Sequence, residues 1–257
     1  LGGFLDNRGL PNAWQYRDFV VNSFNADVPF DQFVRWQIAG ELTPNAPLLA
    51  RAGTGFFAVG PTYNGDGGDA EASAAARAET LSDRVDTFSR AFLGLTVACA
   101  RCHDHKFDPV SIKDYYAIAG VFNNTSIADK PLASDTIVKS YDNHQNKIKN
   151  IEKQIKQLND KVKKEKREIN EDEKKKRDKW TKDRDELRKS LPPKYATAHG
   201  LRENGSNNMH VAIRGDLRKK GEEVPRRFLE VISRDKTFNK KSGLLQLAES
   251  VVDRDNP

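Results

Sequence analysis

The sequence predicts a mainly α fold in three parts, and three observations carry that reading. Apolar residues recur at helical spacing through much of residues 1–140. Residues 141–191 change to a heptad pattern in a strongly charged background, which reads as an antiparallel coiled-coil hairpin. Residues 192–257 hold only short mixed runs. Such a small α/β segment buries little by itself and is expected to pack back on the first part.

In the first part, Tyr16, Phe19, Val20 and Phe24 mark a helix over 12–24. Pro29 opens a second, with Phe30, Phe33, Val34 and Ile38 on one face and Gly40 at its end. The run Asn64-Gly65-Asp66-Gly67-Gly68 predicts a loop. Leu81, Val85, Phe88, Phe92 and Leu95 then predict a long helix continuing to Ala98. Ser111 and Asp114 have capping-box spacing before Tyr115, Ile118, Ala119 and Phe122.

In the hairpin, Ile148, Ile151, Ile155, Leu158 and Val162 form a seam, which Glu165 breaks and Ile169 resumes. Asn170-Glu171-Asp172-Glu173 predicts a bend, after which Trp180, Leu187 and Leu191 continue an apolar line. The helices are expected at 142–168 and 174–190, with Pro192-Pro193 as the stop. A single long helix that dimerises is the competing arrangement. In the last part, Met209 to Ile213 predicts a strand ended by Arg214-Gly215-Asp216. Pro225 to Ile232 is amphipathic, and Ser242 caps a final helix carrying Leu244, Leu247 and Val251.

The chain has 257 residues, 31% of them charged, and a net charge of +6. The excess is local. Residues 147–189 hold 18 Lys and Arg against 11 Asp and Glu, and the remainder holds 25 against 26. Mixed-sign runs without interleaved aromatics are solvated helix faces, so no nucleic-acid partner is expected. No run approaches the length of a membrane span.

The chemistry concentrates in Cys99-Ala100-Arg101-Cys102-His103, which contains the only two cysteines. C-x-x-C-H is the attachment signature of c-type haem. Two thiols a helical turn apart reach two vinyl groups on one porphyrin edge, and the next residue projects beneath the ring as proximal iron ligand. Cys99, Cys102 and His103 are therefore the expected covalent and axial ligands of a haem c. Arg101 and Lys106 are candidates for pairing with haem propionates. His105 is expected to bond a propionate, to orient His103 together with Asp104 or Asp108, or to tie down the loop before Pro109. His210 or Met209 is the expected distal ligand, with His144 and His199 as further candidates. Three alternatives remain open: a Cys99–Cys102 disulfide, a zinc site from Cys99, Cys102, His105 and Asp108, and a thioredoxin-like redox pair, which lacks its usual βαβ surroundings.

The stretch Ala91-Phe92-Leu93-Gly94-Leu95-Thr96-Val97-Ala98 leading into the motif, and His103-Asp104-His105-Lys106-Phe107-Asp108-Pro109 with Asp114-Tyr115-Tyr116 after it, resemble a large family of planctomycete secreted cytochrome-type proteins. Tyr16-Arg17-Asp18-Phe19-Val20, Pro29-Phe30-Asp31-Gln32-Phe33, Gln37-Ile38-Ala39-Gly40-Glu41, Ile213-Arg214-Gly215-Asp216 and Gly221 to Leu229 fit the same resemblance. It implies a haem site, an extracytoplasmic location and further domains of unknown function beyond Pro257, but no reaction. The expected function is redox or electron transfer with a partner protein or other domains of a longer chain. The alternative is a structural or interaction module of a large secreted assembly, in which haem, zinc or a disulfide only stabilises the fold.

Overall fold

The computed structural model describes residues 9–63, 69–233 and 236–256; the expected glycine loop at 64–68 lies outside them. In chain order the elements are α1 (Trp14–Asn25), α2 (Phe30–Ala39), α3 (Gly55–Ala58), α4 (Ala70–Leu93), α5 (Ile112–Asn123), β1 (Thr125–Pro131), α6 (Asp135–Lys164), α7 (Glu171–Lys189), β2 (Thr197–Glu203), β3 (Met209–Ala212), β4 (Lys220–Val224), α8 (Glu230–Ser233) and α9 (Leu244–Val251). The protein is thus mainly α with two small antiparallel sheets, β1–β2 and β3–β4. It divides into two compact units. One runs up to Leu132 and resumes at Thr197; the other is Ala133–Ala196.

The first unit is built around a large apolar core. Phe57, Val85, Phe88, Ile118 and Phe122 from the helices meet Val211, Phe228, Leu229, Leu244 and Leu247 from the C-terminal segment. That segment therefore packs back on the helical part as its short apolar runs require. Each fully buried Leu or Phe contributes about 1.5–3 kcal/mol. A second cluster joins Phe19, Trp36, Ala50, Ala52 and Ala198.

Two expected core positions are exposed. Phe24 lies 73% exposed near the end of α1 and Phe30 77% exposed at the first residue of α2. Each sits at a helix terminus, beyond the stripe that turns inward, and α2 buries Trp36 and Gln37 in addition to Val34 and Ile38. Neither β1 nor β2 is legible as a strand in the sequence. They pair in register from Thr125↔Glu203 to Pro131↔Thr197, across the whole of the second unit. Alternation is weak in both, and their pairing is long-range.

In the second unit, α6 and α7 run antiparallel. Arg188 Nη2 donates to Glu152 at 2.6 Å, and Tyr195 donates to Asp142 at 3.1 Å. Ile148 is buried, and Ile151, Ile155, Leu158 and Val162 are half-buried along the expected seam. Helix α6 begins at Asp135, earlier than the heptads indicate, and ends at Lys164, before Ile169. Asn170 caps α7 by accepting from the Glu173 amide at 2.9 Å, while the Glu173 carboxylate accepts from the Asn170 amide at 3.2 Å. This completed capping box explains why the polar bend starts a helix there.

Candidate functional site

Helix α4 does not carry the cysteines. It stops at Leu93 because Gly94 takes a left-handed conformation at φ 66°, and the Leu95 amide bonds back to Ser89 O. Cys99 instead lies in a separate 3-10 turn, Val97–Arg101, with Cys102 just beyond it. This corrects the expectation of a continuous helix to Ala98. The turn is anchored by Val97 and Ala100, both fully buried. Both cysteines are exposed free thiols.

His103 is exposed. Its Nδ1 donates to the Asp104 carbonyl at 2.7 Å, which puts the lone pair on Nε2, and that atom has no partner among the described residues. A carbonyl can only accept, so the tautomer follows from the contact. Asp104 is fixed in turn, its carboxylate accepting from the Ile112 amide at 2.8 Å.

His105 does the opposite. Its Nε2 meets Thr96 Oγ1 at 3.0 Å, and its Nδ1 accepts from the amides of Asp108 at 2.9 Å and Phe107 at 3.3 Å. Both ring nitrogens are used to fasten the loop before Pro109, with the Asp108 carboxylate 3.3 Å from Nδ1. Of the four groups considered for zinc, His105 and Asp108 lie together, and among the described residues no three His, Cys, Asp or Glu side chains form one group.

Arg101 pairs with Glu79 at 2.9 Å, and Lys106 lies over the Phe107 ring at 5.1 Å. The motif is also bound to the C-terminal segment. Tyr116 Oη donates to the Arg101 carbonyl at 3.3 Å and meets the Ala212 backbone of β3. Burial pushes its hydroxyl up, and pushes the adjacent Tyr115 up to about 12. Gly215, at φ 76°, lies so close that a Cβ there would sit 2.7 Å from Cys102 Sγ. No spacing rule connects Gly215 to Cys102; the only signal was that its run and the cysteine motif share one resemblance. Phe107, Ile213 and Leu217 add exposed apolar side chains, Phe107 at 82%.

Of the distal candidates, Met209 packs into the core near Gly120 of α5. His210 is exposed on β3; its Nδ1 donates to the Gly221 carbonyl at 3.1 Å, and its Nε2 is open. His199 has both nitrogens occupied, by Asp129 at 3.0 Å and by the Asn12 amide at 3.2 Å. His144 lies in α6, within the second unit, with Nδ1 on the Ser140 carbonyl.

Asp114 is the residue whose role exceeds its sequence signal. It closes the expected capping box with Ser111. It also accepts from Arg227 at 2.5 Å and from the Glu230 amide at 2.9 Å, with both charged side chains buried.

Over residues 2–127 the chain matches the family described as PSCyt2, protein of unknown function (DUF1549). The match takes in the cysteine motif, its closing loop and α5, and spans slightly under half of the chain. No curated protein matches, and no solved structure matches.

Proposed function

We propose that this chain is part of an extracytoplasmic c-type haem protein with a redox or electron-transfer role. The observation that carries the reading is the state of the motif. Two exposed thiols flank one short turn, and the following histidine is exposed with Nδ1–H tied to a carbonyl and Nε2 open. Metal-ligating histidines are typically held in this way by the other ring nitrogen. The residues therefore fit the group: Cys99 and Cys102 would hold it through thioethers, and His103 would supply the proximal nitrogen. Phe107, in the loop that follows the motif, offers exposed apolar surface. Bound haem supplies one-electron chemistry at the iron. The description PSCyt2 agrees with a cytochrome-like reading. The extracytoplasmic location follows from where such attachment takes place.

For the distal side, His210 is favoured over Met209, because its Nε2 is open while Met209 is committed to packing. A histidine there favours a lower potential than a methionine. Arg101 keeps further guanidinium donors for a propionate beside its Glu79 contact, whereas His105 already uses both ring nitrogens in its loop.

One observation favours the alternative of a stabilising group in an interaction module: the motif already braces the C-terminal segment through Tyr116 and Gly215. Maturation in a host with cytochrome c assembly machinery decides between the two. The expected product carries one covalent haem, lost in Cys99→Ala/Cys102→Ala, and binds cyanide or cycles between two oxidation states. A bare chain holding zinc or a disulfide after such maturation overturns the haem reading. A covalent haem inert to cyanide and to mild reductants supports the stabilising role instead.

A further inference from the structure

Helix α4 buries an arginine that has no carboxylate bonded to it among the described residues. Arg84 is 6% exposed. Its Nη1 reaches Thr125 Oγ1 at 3.3 Å, a long contact, while its Nε is buried without any hydrogen-bond partner. Nη2 makes no hydrogen bond among the described residues, so there the Nε–Nη2 edge is unused. Asp83 lies close enough to act on Arg84 electrostatically but forms no ion pair with it. Arg77, two turns earlier on α4, adds a second positive charge; its Nε and Nη2 hold the side chain and carbonyl of Asn123 at 2.8 Å. Burial pushes the Arg84 guanidinium down to about 10, which leaves it cationic at neutral pH.

These groups line a cavity of about 640 Å³ between α4 and β1. Ser126 lines it too, and its Oγ is also buried and unpartnered. The rest of the wall is mixed: Ala58, Leu81, Phe122 and Ile127 form its apolar part, and Thr62, Tyr63, Ser73 and Thr80 add polar groups. The size falls in the range of small-molecule sites, and one part of the wall is apolar while polar groups converge on the other. A buried guanidinium edge and a buried hydroxyl left without partners are costly, and native proteins retain such groups where something completes them.

We propose that this cavity binds a small organic carboxylate, with the carboxylate on the Nε–Nη2 edge of Arg84 and on Ser126 Oγ, and its apolar body against Leu81 and Phe122. The side edge of a guanidinium presents two parallel N–H donors, which match the two oxygens of a carboxylate. A membrane or nucleic-acid phosphate is disfavoured by the enclosure of the two groups that would have to meet it. The site is separate from the cysteine motif and independent of whether that motif carries haem.

Calorimetric titration of the full chain with sodium benzoate, at constant ionic strength set by chloride, tests the proposal. Saturable binding is expected, weakened roughly tenfold or more in Arg84→Gln and by a smaller factor in Ser126→Ala. Arg84→Lys should also bind poorly, because an ammonium lacks the fork. Ser126→Ala leaves the buried charge in place and keeps the test open if the arginine variants fail to fold. Binding unchanged in Ser126→Ala and in any folded Arg84 variant overturns the proposal. So does the absence of saturable binding to the wild type, equal affinity for methyl benzoate, or affinity for inorganic sulfate or phosphate equal to that for benzoate.

Discussion

Asp114 shows how one side chain can serve two levels of structure. Its Oδ2 accepts from the Ser111 amide and hydroxyl, both at 2.8 Å, which closes the N-terminus of α5. Its Oδ1 takes Arg227 and the Glu230 amide from the C-terminal segment. The consequences of removing each partner are unequal. Asp114→Ala strips the cap and leaves Arg227 buried with only Glu230 and a carbonyl, and should cost about 3–5 kcal/mol. Arg227→Met leaves Asp114 with three donors and should cost less. Denaturant unfolding of both variants checks the order; equal losses would mean that the ion pair alone, without the cap, sets the cost. The capping half of this role was legible from the Ser111–Asp114 spacing. The Arg227 half was not, because its partner is distant in sequence and nothing local marks it. The same holds for Gly215 against Cys102.

At the scale of elements, charge and capping decide where helices begin and end. The turn between α6 and α7 is held by Arg167, whose fork meets both Glu173 oxygens at 2.6 Å and whose Nε meets Glu165 at 2.6 Å. Hydrogen bonding from Arg167 lowers the Glu173 carboxyl from 4.5 to about 2. Because the folded value is depressed, this contribution is present in full above about pH 4.5 and is lost as pH falls toward 2. Far-ultraviolet dichroism should therefore show helix loss between pH 4.5 and 2 with a component that Glu173→Gln lacks. Superimposable acid titrations of the two proteins would remove Glu173 from the turn. The bend at Asn170 was readable because its residues both cap and repel. The end of α4 was misplaced because apolar spacing passes through Gly94 unbroken to Leu95, and the left-handed conformation of one glycine stops the helix instead.

At the scale of the whole molecule, the second unit is an insertion between β1 and β2. Pro131 and Thr197 are cross-strand partners, so the chain leaves the first unit and returns to it at adjacent positions. Joining Leu132 to Thr197 by a short Gly-containing turn should therefore leave a folded protein. The expected outcome is an unfolding transition within a few degrees of the parent. Loss of cooperative unfolding would show that the insertion contributes to the first unit's core. The charged hairpin was visible as a departure in composition, but the sheet formed by the strands that flank it in sequence was not, since Thr125–Pro131 and Thr197–Glu203 carry little alternation.

The sequence by itself determined what depends on neighbours along the chain. Helical periodicity, the Ser111–Asp114 box, the heptad seam from Ile148 and the three-residue spacing of Cys99 and Cys102 are all local, and each has a local physical cause. Tertiary structure decided what depends on meetings across the chain. It tied His105 to its own loop, left His103 Nε2 open, set Gly215 against Cys102 and buried Arg84 beside Ser126. These outcomes turn on which donor finds which acceptor after distant segments pack, and spacing along a chain carries no record of that.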